Sequence, residues 1–169
     1  MHWKASRLFN GVILAEKVHT RIDKLVYGGD GIGRLPDGRA VFVPFTLPGE
    51  VVELQIVQEG KKFARGRLIN LLEASPERTQ PRCKHFGTCG GCHYQHIPYD
   101  AQLQAKLVIL QDQMDRLGGF SDLPSGGITS SPSPWNYRNQ MQFHPAPEGS
   151  LGFMDIDGKT VVPIQECHL

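Results

Sequence analysis

The sequence predicts two small domains in series: an all-β, OB-like closed barrel over residues 17–76, then a small α+β domain over residues 83–169 built around cysteines. Three observations predict this. Residues 17–76 carry short runs of β-forming residues separated by glycine and proline turns, the pattern of a small closed barrel. One helix-spaced apolar stripe and one hairpin signal lie in the second half. All four cysteines also fall there.

In the first part, 18–26 alternates loosely and 28–33, rich in glycine, reads as a turn between strands. It lacks the G-x-G-x-x-G spacing followed by a helix that a nucleotide site requires. Pro36-Asp37-Gly38 and Leu47-Pro48-Gly49-Glu50 are further turns. The runs 40–45, 51–58 and 63–72 are strands, with Val52, Leu54 and Ile56 on one face of the middle one. Residues 1–16 are an N-terminal extension, and the proline-flanked stretch 77–82 is a linker.

In the second part, Asp100 reads as the N-cap of a helix. Its apolar stripe is Leu103, Leu107, Leu110, Met114 and Leu117, and Gly118-Gly119 end it. Tyr137–His144 alternates as a strand. The runs 151–156 and 159–164 flank Asp157-Gly158, the signal of a two-residue hairpin.

Cys83, Cys89 and Cys92 are spaced C-x5-C-x2-C, and Cys167 follows after 74 intervening residues. Three close thiolates in a glycine-rich loop with one distant thiolate fit a [4Fe-4S] cluster, for which soft sulfur donors and small neighbouring residues are suited. A structural zinc site is an alternative, completed by a histidine such as His85, His93, His96, His144 or His168, although only Cys89 and Cys92 form a knuckle-type pair. Unliganded buried thiols and a redox dithiol at Cys89/Cys92 are the other readings.

Charge is uneven. Residues 1–82 carry 13 Lys and Arg against 9 Asp and Glu, residues 83–169 carry 5 against 8, and the whole chain is +1. A basic first half suits a polyanionic partner. Lys61, Lys62, Arg65 and Arg67 are the candidate phosphate contacts there, with a solvated strand face as the alternative, and Arg138 beside Tyr137 offers charge and a stacking ring to such a partner, with a structural role in its strand as the alternative. No apolar run approaches the roughly 18 residues of a membrane span. The N-terminus imitates a signal peptide only faintly, since Asn10 and Gly11 interrupt its apolar stretch. The expected location is the cytoplasm, where thiols stay reduced and serve as metal ligands.

These motifs resemble a known family. Cys83-x5-Cys89-Gly90-Gly91-Cys92-His93-Tyr94-Gln95-His96 is similar to the cluster motif of the 23S ribosomal RNA (uracil-5-)-methyltransferases. The segment from Gly29-Asp30-Gly31-Ile32-Gly33 through Val41-Phe42-Val43-Pro44 to Leu47-Pro48-Gly49-Glu50 resembles their TRAM domain, an RNA-binding barrel. Asn136-Tyr137-Arg138-Asn139 and Gln165-Glu166-Cys167 resemble later family positions. The resemblance implies that Cys83, Cys89, Cys92 and Cys167 hold a [4Fe-4S] cluster. It also implies that the partner is RNA, ribosomal ahead of transfer RNA. The complete enzyme would use S-adenosylmethionine, with a cysteine adding to C6 of uracil, methyl transfer to C5 and a base removing the C5 proton. The cofactor-binding domain, the nucleophile and the base have no counterpart in these 169 residues. No catalytic residue is therefore assigned, and the chain alone is expected to be inactive. A stand-alone electron-transfer or redox-sensing iron–sulfur protein, or a zinc-dependent RNA-binding module, is the competing reading.

Overall fold

The computed structural model describes residues 17–121 and 126–169, with the backbone of two short strands near the N-terminus. Those strands, β1 (Leu8–Phe9) and β2 (Val12–Ile13), pair antiparallel. The rest of the N-terminal extension, including the signal-like stretch, lies outside the described residues. The chain divides into two compact units, residues 1–26 with 30–76, and residues 27–29 with 77–169.

The first unit is a five-stranded closed barrel. Its strands are β3 (Lys17–Leu25), β4 (Gly31–Arg34), β5 (Ala40–Val43), β6 (Val51–Glu59) and β7 (Phe63–Glu73). They run in the order β3-β4-β5-β7-β6, closed by β6 on β3, with only β5 and β7 parallel. Closure leaves no free edge, the arrangement of an OB-type barrel. Period-two alternation drives it. Val41 and Val43 of β5, Val52 and Leu54 of β6 and Ala64 of β7 are fully buried, with Ile22 and Leu35 beside them. Each large aliphatic side chain so buried contributes about 1.5–3 kcal/mol.

The glycines at 31 and 33 are strand residues rather than part of a turn, correcting the sequence expectation. The turn covers 27–29, where Gly28 and Gly29 take φ of 95° and 94°. Gly33 faces inward, and a Cβ there would stand 2.5 Å from the Arg21 carbonyl and 2.9 Å from Thr20 Oγ1. The narrow barrel has no room for a side chain at that point. Glu50 was legible only as a turn residue, yet it is fully buried. Its Oε2 accepts the Leu47 N–H at 2.8 Å and its Oε1 the Ser75 N–H at 3.2 Å, latching the end of β7's exit strand to the loop before β6.

The second unit holds one helix, α1 (Tyr99–Gly118), and a three-stranded antiparallel sheet of β8 (His144–Pro145), β9 (Leu151–Met154) and β10 (Val161–Pro163), in the order β10-β9-β8. Gly119 caps the helix in the left-handed conformation, as expected, while Pro98 and not Asp100 occupies the N-cap. The apolar stripe is only partly inward. Ile109 is the buried helix residue, and Leu110 and Leu117 are exposed. The strand expected over 137–144 is reduced to its last residue and Pro145. No neighbouring strand pairs with 137–143, and an isolated extended segment gains nothing from the ladder. The hairpin forms, but its turn is wider than two residues: Met154 pairs with Val161, and Asp155 N–H donates to the Thr160 carbonyl at 2.8 Å. The Asp155 carboxylate fastens it, accepting the Lys159 N–H at 2.8 Å and the Thr160 hydroxyl at 2.6 Å. These two bonds, the Thr160 hydroxyl foremost, hold the Asp155 carboxyl below its usual range. Among the described residues no helix is long and apolar enough to cross a membrane.

Candidate metal centre

The loop 83–92 folds on itself through short-range backbone bonds. Phe86 N–H donates to the Cys83 carbonyl at 3.1 Å, and Cys89 N–H to the His85 carbonyl at 2.8 Å. The loop is then zipped to the hairpin. Cys89 forms an isolated bridge with Asp155, with Gly90 N–H donating to the Met154 carbonyl at 2.9 Å and Ile156 N–H to the Thr88 carbonyl at 3.1 Å. Gly90 is required here, because a Cβ would fall 2.7 Å from the Asp155 carbonyl oxygen. The same hairpin leads the chain back through Pro163 to Cys167.

The result is one cavity lined by Cys83, Cys89, Cys92 and Cys167 together. None of the four is in a disulfide, and Cys89 is the most buried. Hydrogen-bond donors surround the sulfurs. His85 N–H points to Cys83 Sγ at 3.4 Å and Gly91 N–H to Cys89 Sγ at 3.4 Å. Gln95 spans two ligand positions, its Oε1 accepting the Cys83 N–H at 3.0 Å and its Nε2 donating to Cys92 Sγ at 3.2 Å. Burial pushes the Cys92 thiol up; the Gln95 amide opposes this, and the other three sulfurs add to the rise. His85 lines the same cavity, and its Nε2 is buried without a hydrogen-bond partner. Among the described residues, no group of three or more His, Cys, Asp or Glu side chains is placed to hold a single metal ion.

The cationic candidates divide between the units. Lys61 and Lys62 are exposed at the β6–β7 turn, and Arg65 and Arg67 project from the outer face of β7. Arg65 is already engaged, 3.2 Å from Asp30 and with its guanidinium 5.9 Å from the Phe42 ring centre. Phe63 packs edge-on against Phe42 at 5.7 Å, so this outer face is both aromatic and basic. Arg138 stands elsewhere, exposed at the cysteine cavity. Sequence reasoning quoted Gln95 only as part of a motif, and His85 only as one of five histidines that could complete a zinc site. The available signal for Gln95 was its place three residues beyond Cys92, in reach of the sulfur before it.

Residues 16–69 match the family model described as the TRAM domain. The chain is 40% identical over 148 residues to an uncharacterized RNA methyltransferase of Aquifex aeolicus, covering 88% of this chain and 34% of that protein. It is 35% identical over 161 residues to the 23S rRNA (uracil(1939)-C(5))-methyltransferase RlmD of Shewanella halifaxensis, covering 91% and 35%. Among solved structures it resembles the Pyrococcus abyssi tRNA (uracil-54, C5)-methyltransferase in complex with S-adenosyl-L-homocysteine. That likeness has a TM-score of 0.55 and 26% identity, and covers 88% of this chain and 32% of that one. The chain spans about a third of the length of the curated relatives it matches. The chain thus carries a TRAM domain and is homologous, over about a third of their length, to RNA methyltransferases that include a 23S rRNA (uracil-C5)-methyltransferase.

Proposed function

We propose that this chain is the RNA-holding, [4Fe-4S]-bearing part of an S-adenosylmethionine-dependent RNA (uracil-C5-)-methyltransferase of the cytoplasm, directed at ribosomal RNA. The observation that carries it is the presence in one chain of a TRAM barrel and a cavity lined by four free cysteines. Ribosomal RNA is favoured by the higher identity to the 23S enzyme, 35% against 26% for the transfer RNA enzyme.

The residues present fit a cluster on three counts. Four soft donors share one cavity, backbone and side-chain N–H groups point at their sulfurs, and the polar His85 Nε2 is buried in its lining with no hydrogen-bond partner. A cubane bonds each thiolate to a different iron, so the donors need not converge on one point. When bound, the cluster supplies a covalent tie between the loop and Cys167. The chain's own residues orient it: Gln95 sets the Cys83–Cys92 spacing, and the Asp155 hairpin holds Cys89. With all four cysteines so committed, no thiol among the 169 residues is left to attack C6 of uracil.

Protein purified without oxygen should carry about four iron and four sulfide per chain. Stoichiometric zinc without sulfide would overturn the cluster. Structured RNA should be retained on filters at low salt and released as salt rises; no retention would remove RNA from the proposal. The 169-residue polypeptide should transfer no methyl from S-adenosylmethionine to RNA, and labelling above contaminant level would show that one of the four cysteines is free.

A further inference from the structure

The second unit carries a groove of about 620 Å³, distinct from the cysteine cavity though sharing Cys92 and Gln95 in its wall. One side is the start of α1, with Tyr99 and Lys106; the other is the loop carrying Trp135 and Tyr137. Arg82 and Tyr94 also line it. The sides are fixed relative to each other. Tyr99 Oη accepts the Ser131 N–H at 2.8 Å, and the Asn136 N–H donates to the His168 carbonyl at 2.9 Å.

Two features define its chemistry. Each of two rings has a cation over it: the Arg82 guanidinium lies 5.3 Å from the Trp135 ring centre, and Lys106 Nζ lies 5.9 Å from that of Tyr94. Among the described residues no Asp or Glu side chain lines the groove, although residues 77–169 carry 9 Asp and Glu against 7 Lys and Arg. Positive charge has been gathered in one place, and it is interleaved with four aromatic rings. That combination suits a single strand, whose bases stack on rings and on guanidinium planes while its phosphates meet the cations. A duplex keeps its bases stacked inside and offers nothing to the rings. An acidic peptide would use the cations and leave the rings idle.

We propose that the groove between the start of α1 and the 131–137 loop binds a single-stranded RNA segment, by base stacking on Trp135 and Tyr94 and phosphate contact with Arg82 and Lys106. This rests on the reading that the chain binds RNA. It adds a site apart from the barrel, one that uses none of Lys61, Lys62, Arg65 or Arg67. Because Cys92 and Gln95 form part of its wall, the cysteine loop also shapes it.

The test uses the 169-residue chain with Trp3→Phe, which leaves Trp135 as its one indole. A uridine-rich single-stranded 10-mer is titrated while indole emission and gel retardation are followed together. Saturable quenching is expected, with duplex RNA and poly-glutamate quenching far less. Arg82→Gln with Lys106→Gln, both exposed positions, should weaken binding and reduce the salt slope by about 1.4, as two lost phosphate contacts on a single strand require. Trp135→Phe should keep most of the affinity, and Trp135→Leu should lose about tenfold or more, as loss of one stacked base implies. Retardation with unchanged emission, and unchanged affinity in the Arg82/Lys106 double variant, would overturn the groove while leaving RNA binding in place; the Lys61, Lys62, Arg65 and Arg67 quadruple glutamine variant would then abolish retardation. Equal quenching by poly-glutamate would make this an acidic-peptide site. Absence of retardation by any RNA would defeat both this proposal and the functional reading beneath it.

Discussion

In the barrel unit nine apolar residues, from Ile22 to Ala64, are buried, and five of them have no measurable exposure. In the cysteine unit the buried non-glycine residues among those described are Cys89, His96, Ile97 and Ile109, and of these His96 alone has no measurable exposure, while Val108, Leu110, Leu117 and Phe120 of the same unit are more than half exposed. The barrel has a continuous hydrophobic core that repays the entropy of ordering its strands. The cysteine unit is longer and has almost none, so what holds it must lie in its cross-links: the Cys89–Asp155 bridge and the Gln95 clamp, to which the proposed cluster would add a tie through the four thiols. Small domains with too little core depend on such ties.

That contrast predicts different responses to the same insult. The largest effect is expected from losing one of the cysteines proposed to hold the cluster. Cys89→Ser, or iron removal by a chelator, should abolish the cooperative thermal transition of the cysteine unit and leave that of the barrel in place. Calorimetry on the whole chain reads both. A cysteine unit that still unfolds cooperatively without iron would show that its hydrogen bonds suffice.

The reverse experiment acts on the core. Leu54 is fully buried, and its methyls fill the space over Gly66, where a Cβ would come within 2.9 Å. Leu54→Ala should destabilise the barrel by about 2–5 kcal/mol. Iron content should stay unchanged. Iron lost in proportion to barrel stability would mean that the two units do not fold independently.

The same contrast decides what the sequence could disclose. Barrel strands were legible because burial on one face imposes a period of two, as at Val52 and Leu54. Inward glycine at 33 was not, because its cause is the approach of Arg21 from a neighbouring strand, which no local pattern records. In the cysteine unit, spacing marked out the four cysteines that the structure brings to one cavity. Secondary structure was read less well there. Residues 137–143 alternate as a strand does, but alternation cannot supply a partner. The helix stripe through Leu110 and Leu117 gives way to Ile109, because burial in a unit with so little core is set by a few contacts and not by a broad face. The groove around Trp135 was invisible for a similar reason: its residues come from four separated segments.

A smaller effect should sharpen the account of the cross-links. Gln95→Leu keeps all four thiols and nearly the same volume but removes the N–H on Cys92 Sγ and the acceptor for Cys83 N–H. Outer-sphere partners of this kind are worth about 10–100-fold in metal affinity. Iron should leave faster to a chelator, and the reduction potential should fall, because a hydrogen bond to a ligand sulfur stabilises the more negative, reduced state. Gln95→Glu should recover the backbone contact but not the donor. Unchanged release and potential in Gln95→Leu would reduce the clamp to packing.

The smallest effect concerns acid, and it again separates the units. Glu53 of β6 is paired on the barrel surface with Lys17 Nζ at 3.1 Å and accepts from Asn70 Nδ2 at 2.6 Å. The lysine foremost, then the asparagine, hold its carboxyl below the ordinary 4.5. A carboxylate depressed on folding adds stability that is present above its unfolded pKa and is lost as pH falls through the folded value. Glu53→Gln should therefore lower the barrel's melting temperature slightly at pH 7, and the gap from the parent should close as pH drops below about 4. The barrel should still refold after return to neutral pH, since its core is indifferent to that charge. With the proposed cluster bound, the cysteine unit should not recover so simply, because protonating its thiolates would release metal and sulfide that neutralisation alone does not restore. A Glu53→Gln gap that persists undiminished at pH 3 would assign the effect to geometry, with the carboxylate charge playing no part.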